Sequence, residues 1–346
     1  MDHKLIILCE GQFSPLKSKT ANAAIIYFPQ NVLAIIDSTK SGKTSHDILG
    51  YGGAIPIVSS IDEALKFNPT ALLIGIAPIG GRLPEAWRSI IITALKNKLH
   101  ILSGLHTFLG DDSEFNSIAK QNNVSITDWR KIPEEYEVVS LGNWKTRKAK
   151  TILSVGMDCN IGKMTTTLNI HNEFLKRGLK SDFVATGQTG IMIRGRGIAV
   201  DSVISDYIAG SIEKVIDESA NEGNDFIFVE GQGAITHQGY SGVTLGLIHG
   251  TMPDAFILCH QPARKNDDYN ILLPDINRVI KLHEEIVGIF KKTKVICVGI
   301  NSIGLTDEES MKASEKIENE TGLPAIDTFR FGAKKLADAV YKYCKT

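Results

Sequence analysis

Two segments of the sequence carry the glycine, lysine and threonine of a phosphate-binding loop: STKSGKTS at residues 38–45 and SVGMDCNIGKMTTT at residues 154–167. Such a loop needs a buried strand, a glycine-bearing turn whose N–H groups point inward, and Gly-Lys at the start of a helix. The first segment has Asp37 where the usual spacing places the entry glycine. We therefore predict that this segment forms a polar turn and binds no nucleotide.

The second segment meets each requirement. The apolar run TILSV leads into Gly156, Gly162 and Lys163 open the next element, and a helical pattern then continues to Gly178. Backbone N–H groups of such a loop surround phosphate oxygens, and the lysine adds a positive charge. The residues predicted to bind the cofactor are Gly156, Asp158, Cys159, Asn160, Gly162, Lys163, Met164, Thr165, Thr166 and, at the end of a later strand, Asn301.

One position of this loop argues against nucleotide hydrolysis. Hydrolases place a Ser or Thr hydroxyl directly after the lysine to bind Mg²⁺, and this chain has Met164 there. A thioether is a poor ligand for a hard cation. The loop therefore suits a diphosphate that is held but not cleaved, such as that of CoA. A helix N-terminus and Lys163 also predict a lowered pKa for the Cys159 thiol.

Candidate catalytic groups follow the strand DFIFVE. Glu230 ends this strand, and His237 is the histidine nearest to it in the sequence. A carboxylate at a strand's carboxyl end faces the phosphate loop, where it could serve as a general base, a metal ligand or a cap on the next turn. His237 could accept a proton or have a structural role.

Candidate substrate-binding groups lie in the glycine-rich segment ATGQTGIMIRGRG. Gln188, Thr189, Arg194 and Arg196 follow a predicted strand there. Arginine side chains can bind carboxylates or phosphates through two parallel hydrogen bonds, and the surrounding glycines favour close backbone approach or a mobile lid. The alternative is a solvated loop.

The composition limits the classes of protein. Of the 346 residues, 43% are hydrophobic and 22% are charged, which is typical of a globular protein, and no apolar run approaches the length of a membrane span. A formal net charge of −1 without a dense basic cluster argues against a nucleic-acid partner. Five scattered cysteines indicate neither disulfides nor a zinc site. We expect a cytoplasmic homo-oligomer that binds a small molecule, no membrane and no metal.

Buried aliphatic runs alternate with helical stretches along the whole chain, which predicts parallel sheets covered on both faces. LIILC, VLAIID, ALLIGIA and LHILSG precede a charged stretch at residues 128–150, and TILSV, DFVAT, DFIFVE, DAFILC and KVICVGI follow it. The predicted fold is α/β with two doubly wound domains, a Rossmann-like domain at residues 1–145 and a P-loop domain at residues 146–346. In the second domain, helices are predicted near residues 163–177, 202–221, 275–291, 306–321 and 332–344.

The segments GMDCNIGKMT and VEGQG resemble the phosphate loop and acidic strand end of dethiobiotin synthetase and its relatives. Those enzymes keep Thr directly after the lysine, whereas this chain has Met164. This resemblance implies an alternative function as an ATP-dependent ligase or kinase. Mg²⁺ would then be held by Glu230 with Asp158 or Asp201, and Thr165 would replace the missing ligand.

A second resemblance covers nearly the whole chain. STKSGKTSHDILGYGGAIPIV, IGIAPIGGRLPEAWR, SGLHTFL, GMDCNIGKMTT, GQTGIMIRGRGIAVDSVISDYIAG and EGQGAITHQGYSGVTLGLIHGTMPDAFILCH resemble, in order, the motifs of a two-domain family that includes a D-glutamate N-acetyltransferase. The resemblance implies an acetyl-CoA-dependent N-acetyltransferase for a small acidic amino acid, with D-glutamate as the implied substrate. The CoA diphosphate would lie on residues 156–166. Glu230 or His237 would accept the amine proton, while Arg194 and Arg196 would bind carboxylates.

Overall fold

The computed structural model of the protein describes residues 2–15, 17–76 and 81–345. The chain forms two compact units: the first contains Met1–Lys131 and Ile191–Gly195, and the second contains Ile132–Gly190 and Arg196–Thr346. Each unit is built around a six-stranded sheet in which every described strand pair is parallel. The α/β fold class predicted from the sequence is confirmed.

The first unit has the strand order β3-β2-β1-β4-β5-β6, which is the order of a doubly wound, Rossmann-like sheet. Its strands are β1 Leu5–Leu8, β2 Val32–Ile36, β3 Ile57–Val58, β4 Ala71–Ile74, β5 His100–Ser103 and β6 Ile126–Asp128. The central strand β1 reads LIIL and is buried along its whole length, as expected for a sheet covered on both faces. The sequence did not predict β3 and β6, which are too short to give a periodic signal. Ala77, the last residue of the predicted run ALLIGIA, lies outside the described residues.

The helices of the first unit pack on this sheet. They are α1 Lys19–Tyr27, α2 Ser45–Leu49, α3 Ile61–Leu65, α4 Arg88–Lys96 and α5 Ser113–Asn122. Phe13, Trp87 and Phe115 are among the large buried side chains that fill the space between the helices and the sheet.

The second unit has the strand order β12-β11-β10-β7-β9-β8. Its strands are β7 Lys150–Gly156, β8 Ser181–Val184, β9 Phe226–Val229, β10 Ala255–His260, β11 Lys294–Ile300 and β12 Ala325–Ile326. Its helices are α6 Lys163–Lys176, α8 Ile208–Asn221, α9 Ser241–Thr251, α10 Ile276–Gly288, α11 Asp307–Thr321, α12 Thr328–Phe331 and α13 Lys334–Lys345. A further helix, α7 Gln188–Arg194, contains the boundary between the two units, which lies between Gly190 and Ile191.

Helix α9 was not predicted, because SGVTLGLIHGT contains three glycines. The structure explains one of them by the contact between α8 and α9. A Cβ atom on Gly250 would lie 2.4 Å from the carbonyl oxygen of Ala209 in α8. Glycine therefore lets the two helix backbones approach closely, at the expense of local helix propensity.

Residues 132–145 belong to the second unit, although the predicted domain boundary places them in the first. Hydrogen bonds along α8 hold this segment. Tyr136 Oη donates to Glu218 at 3.0 Å, and the backbone N–H groups of Leu141 and Asn143 donate to the buried carboxylate of Glu213 at 2.6 and 2.7 Å. Side-chain acceptors on a distant helix thus decide which unit this charged segment joins. No described helix combines the length and apolar character needed to cross a bilayer.

Candidate functional site

The second glycine-lysine segment connects β7 to α6 as predicted. We call residues 156–163 the Lys163 loop. Asn160 and Gly162 adopt left-handed backbone conformations with φ of 56° and 94°, which asparagine and glycine tolerate better than other residues. These two turns bring the chain from the carboxyl end of β7 directly into the first turn of α6.

The start of α6 is available to an anion. Within the described chain, no side chain caps this 14-residue helix at its N-terminus, and no acidic residue lies in its first turn. The first N–H groups of a helix have no partner within the helix and carry its positive dipole end. Gly162 and Lys163 therefore present the kind of N-terminus that binds phosphate in other proteins.

Lys163 lies in the interior of the loop. Its side chain is buried, and Nζ donates to the carbonyl oxygen of Asp158 at 2.8 Å. Burial lowers the pKa of Lys163, and the nearby Asp158 and Glu230 carboxylates oppose that shift only in part. A bound anion would supply the opposite charge that this ammonium group lacks.

Asp158 and Arg264 stabilise the loop. The fully buried Asp158 accepts the backbone N–H of Cys159 through Oδ1 at 2.6 Å, and its Oδ2 lies 2.7 Å from Nε of Arg264. Arg264 also donates to the carbonyl oxygen of Cys159 at 3.0 Å. Sequence reasoning missed Arg264, although its place just after β10 was a usable signal for a group at the sheet edge.

The remaining predicted loop residues differ in position. Asn301 lies beside the loop, since its side-chain nitrogen would be 3.6 Å from a Cβ atom on Gly162. Met164 and Thr165 are half-buried in the first turn of α6. Thr166 is buried and packs against Gly299 in β11, so its environment is the core of the second unit.

Glu230 is buried at the end of β9. Its Oε2 accepts the backbone N–H of Thr186 at 2.9 Å, and its Oε1 lies 3.3 Å from the side-chain nitrogen of Gln232. Burial raises the pKa of this carboxyl to about 7, and the two backbone hydrogen bonds from Thr186 and Gly187 reduce that rise only in part. Glu230 can therefore take up or release a proton near neutral pH.

His237 is brought to the Lys163 loop from a distant part of the sequence. One of its ring nitrogens, a carboxylate oxygen of Asp158 and Sγ of Cys159 all lie within 4.8 Å of one another. Tyr240 stacks on the imidazole with ring centres 4.8 Å apart, and Tyr269 lies at 5.0 Å. Asp, Cys and His are also ligand types for a transition metal, but Arg264 already supplies positive charge to Asp158.

The lowered pKa predicted for Cys159 is wrong. Burial raises the pKa of this thiol to about 11, and the positive charge of Lys163 offsets only part of the rise. A buried thiolate would lose its hydration, and one nearby ammonium group that is itself partly desolvated does not replace it.

The predicted substrate-binding residues differ in burial and in their contacts. Arg196 forms ion pairs with Asp182, at 3.2 Å, and with Glu222, so a substrate carboxylate would have to compete with these two partners for its guanidinium group. These partners raise the pKa of Arg196, chiefly through the Glu222 hydrogen bond. Gln188 and Thr189 are half-buried at the start of α7. Arg194 is exposed and groups with the first unit.

The first glycine-lysine segment forms the polar turn that the sequence predicts. We call residues 37–44 the Asp37 turn. The buried Asp37 carboxylate accepts the backbone N–H groups of Gly11, Phe13 and Thr39 at 3.0–3.1 Å and pairs with Lys40 at 3.0 Å. At the end of the turn, Thr44 and Asp47 cap α2 reciprocally.

A cavity of about 560 Å³ lies elsewhere in the second unit. It is lined in part by Lys294, Val295 and Ile296, at the amino end of β11. Asn301 and the Lys163 loop lie at the carboxyl ends of the strands. The cavity is therefore not part of the loop site.

Two regions of the chain match the DUF1611 family. Residues 38–132 match its Rossmann-like domain and residues 138–337 match its P-loop domain, both described as domains of unknown function. A D-glutamate N-acetyltransferase from Tritonibacter scottomollicae is 36% identical over 286 residues, covering 81% of this chain and 84% of the relative. One from a Pseudoalteromonas species is 33% identical over 283 residues, covering 80% and 83%. The crystal structure of a DUF1611 family protein from Anabaena variabilis superposes with a TM-score of 0.93 at 34% identity, covering 99% of this chain and 100% of that one.

Proposed function

This chain belongs to the DUF1611 family, and we propose that this N-acetyltransferase transfers the acetyl group of acetyl-CoA to the amino group of D-glutamate. The support for the acceptor is the activity named for the two curated relatives. The support for the acetyl donor is the chemistry of the Lys163 loop.

The observation that carries the donor assignment is an uncapped helix start beside a buried lysine that is followed by methionine. The start of α6 offers uncapped N–H groups, and the buried Lys163 ammonium lies beside them. Met164 stands where nucleotide hydrolases place the hydroxyl that binds Mg²⁺. We assign the loop to the diphosphate of CoA, which has to be held and remains intact during acetyl transfer.

We assign the general base to Glu230. The amino group of an amino acid is protonated at neutral pH and has to lose a proton before it can attack a thioester. Burial gives the Glu230 carboxyl a pKa of about 7, so a useful fraction is ionised at that pH while its basicity exceeds that of an ordinary carboxylate. Gln188 and Thr189 stay our candidates for contacts with the acceptor.

The proposal is tested by incubating the protein with acetyl-CoA and D-glutamate and measuring released thiol and N-acetylglutamate. L-Glutamate replaces D-glutamate in one control, and Mg-ATP replaces acetyl-CoA in the other. We expect thiol release that requires D-glutamate, and no ADP. ADP formation without thiol release would contradict the proposal and favour the ATP-dependent ligase or kinase. Thiol release with L-glutamate alone would retain the donor and refute the acceptor.

The base assignment has its own test. Glu230→Gln keeps the size of the side chain and removes its basicity. We expect a loss of kcat of roughly 10²- to 10⁴-fold, with little change in the affinity for CoA. An unchanged kcat would exclude Glu230 as the base.

A further inference from the structure

The buried imidazole of His237 has two different nitrogen environments. Its Nδ1 accepts the backbone N–H of Gly239 at 3.2 Å. A neutral ring whose Nδ1 is an acceptor carries its proton on Nε2. Nε2 is buried and has no hydrogen-bond partner among the residues that the structure describes. His237 therefore holds a desolvated N–H donor whose acceptor is not part of the described protein.

The position of the ring brings His237 to the Lys163 loop. His237 is 2% exposed, and one of its ring nitrogens lies within 4.8 Å of both the Asp158 carboxylate and the Cys159 sulfur. Tyr240 and Tyr269 hold its plane through ring contacts on neighbouring segments. The donor is thus fixed in orientation before any ligand arrives, which reduces the entropy lost on binding.

The Gly239 hydrogen bond argues against two other uses of His237. A general base or a metal ligand needs a nitrogen with an available lone pair. The lone pair of Nδ1 is used by Gly239, and Nε2 carries the proton. Asp158, the other candidate metal ligand beside it, already lies 2.7 Å from the Arg264 guanidinium. A hydrogen-bond donor role for Nε2 agrees with both the Gly239 hydrogen bond and the Asp158–Arg264 ion pair.

We propose that His237 donates its Nε2–H to a phosphate oxygen of the CoA diphosphate. This inference rests on the proposed function, in which the Lys163 loop holds acetyl-CoA. It makes His237 a residue that binds the cofactor and leaves proton transfer to Glu230. An anion is the acceptor that suits the site, because Arg264 pairs with the Asp158 carboxylate while the buried Lys163 and the uncapped start of α6 remain as positive groups.

Calorimetric titration with CoA and with inorganic pyrophosphate tests the proposal. His237→Phe keeps a flat ring between the tyrosines and removes the N–H group, whereas His237→Gln keeps a donor. We expect His237→Phe to weaken binding of both ligands by roughly 10- to 100-fold and His237→Gln to restore part of the affinity. His249→Phe is the matched control, because His249 also contacts an aromatic ring, that of Phe290, but lies on α9. Unchanged affinities in His237→Phe would overturn the proposal.

Kinetics with acetyl-pantetheine, which has no diphosphate, distinguish a phosphate contact from a role at the reacting atoms. We expect His237→Phe to leave turnover of this donor unchanged. A loss of kcat there would move His237 to the thioester and refute the phosphate contact. The calorimetric result stands by itself even if D-glutamate is not the acceptor, because CoA and pyrophosphate bind without one.

Nitrogen-15 NMR of the wild-type imidazole gives a readout that does not depend on a folded variant. We expect Nε2 of His237 to be the protonated nitrogen and its resonance to shift when pyrophosphate is added. Protonation on Nδ1, or a Nε2 resonance that pyrophosphate leaves unmoved, would contradict the proposal.

Discussion

The Asp37 turn and the Lys163 loop both contain Gly-Lys, but they differ in whether carboxylates of the protein already occupy the backbone N–H donors. In the Asp37 turn, protein carboxylates occupy backbone donors: Glu10 accepts the N–H of Ser38, Asp37 that of Thr39 and Asp47 that of Thr44. At the Lys163 loop, the helix that follows has no side-chain cap and no acid in its first turn, as far as the described residues show.

A glycine-lysine motif alone does not determine whether a segment can bind an anion. An anion site needs donors that the fold has not already used. In the Asp37 turn the negative charge is built into the chain, so an external phosphate would have to displace a buried carboxylate. At the Lys163 loop, Arg264 balances the charge of Asp158, and the ammonium group of Lys163 remains for the negative charge that a ligand would bring to the start of α6.

The largest expected difference comes from removing the lysine of each motif. Lys163→Ala should lower the affinity for CoA by roughly 10- to 100-fold, because it deletes a buried ammonium group that interacts with a charged ligand. Lys43→Ala, the corresponding change in the Asp37 turn, should leave the affinity unchanged. Calorimetry measures both, with the melting temperature as a check on folding. Equal losses of CoA affinity in the two variants, or a loss in Lys43→Ala alone, would contradict the assignment of the CoA diphosphate to the Lys163 loop.

The second prediction concerns the contribution of Asp37 to the free energy of unfolding. Burial alone would raise the pKa of Asp37, but hydrogen bonds from Thr39, Lys40, Phe13 and Gly11 outweigh it and hold the pKa below its usual value of 3.8. A lowered folded pKa means stability that is present above pH 3.8 and is lost as the pH falls through the folded pKa. Asp37→Asn should therefore reduce the free energy of unfolding at pH 7 by about 1.5–3 kcal/mol, and by less at acid pH.

Denaturant titrations at several pH values check this prediction. Asp62→Asn is the control, since Asp62 is exposed in the first turn of α3, where a charge contributes only about 0.3–1 kcal/mol. The affinity of Asp37→Asn for CoA should equal that of the wild type. A gain of phosphate binding at the Asp37 turn in this variant would show that the carboxylate had been blocking a second site.

The smallest effect is expected from completing the magnesium motif. Met164→Thr places a hydroxyl after Lys163, as in nucleotide hydrolases, so ATP binding should become stronger when Mg²⁺ is added. The affinity for CoA should change little, because the backbone N–H groups and Lys163 remain. Met164→Leu is the control without an oxygen. Wild-type ATP binding that already depends on Mg²⁺ would show that another residue replaces the missing ligand.

The sequence predicted the parts of the fold that depend on local pattern. Gly156, Gly162 and Lys163 follow a strand and open a helix as expected, and the helix predicted at residues 306–321 is Asp307–Thr321 in the structure. The helix predicted from residue 202 begins only at Ile208, because Val200–Ser202 and Ser205–Tyr207 form 3-10 turns. Local propensity does not fix where such turns give way to a helix.

Most of the contacts that determine the chemistry of the site could not be predicted from the sequence. Arg196 meets Asp182 and Glu222, and His237 meets Asp158 and Cys159, through pairings between distant segments. The raised pKa of Cys159 depends on burial, which a motif does not encode. The absence of an entry glycine at Asp37 was visible in the sequence, and it predicted the polar turn that residues 37–44 form.

The proposed function requires that the Lys163 loop bind a diphosphate without a metal ion. The most direct test is a calorimetric titration of the wild-type protein with CoA, first in EDTA and then with excess Mg²⁺, and the same pair of titrations with ATP. We expect CoA to bind with the same affinity in both buffers and more tightly than ATP. CoA binding that disappears in EDTA, or Mg-ATP binding that is tighter than CoA binding, would contradict it.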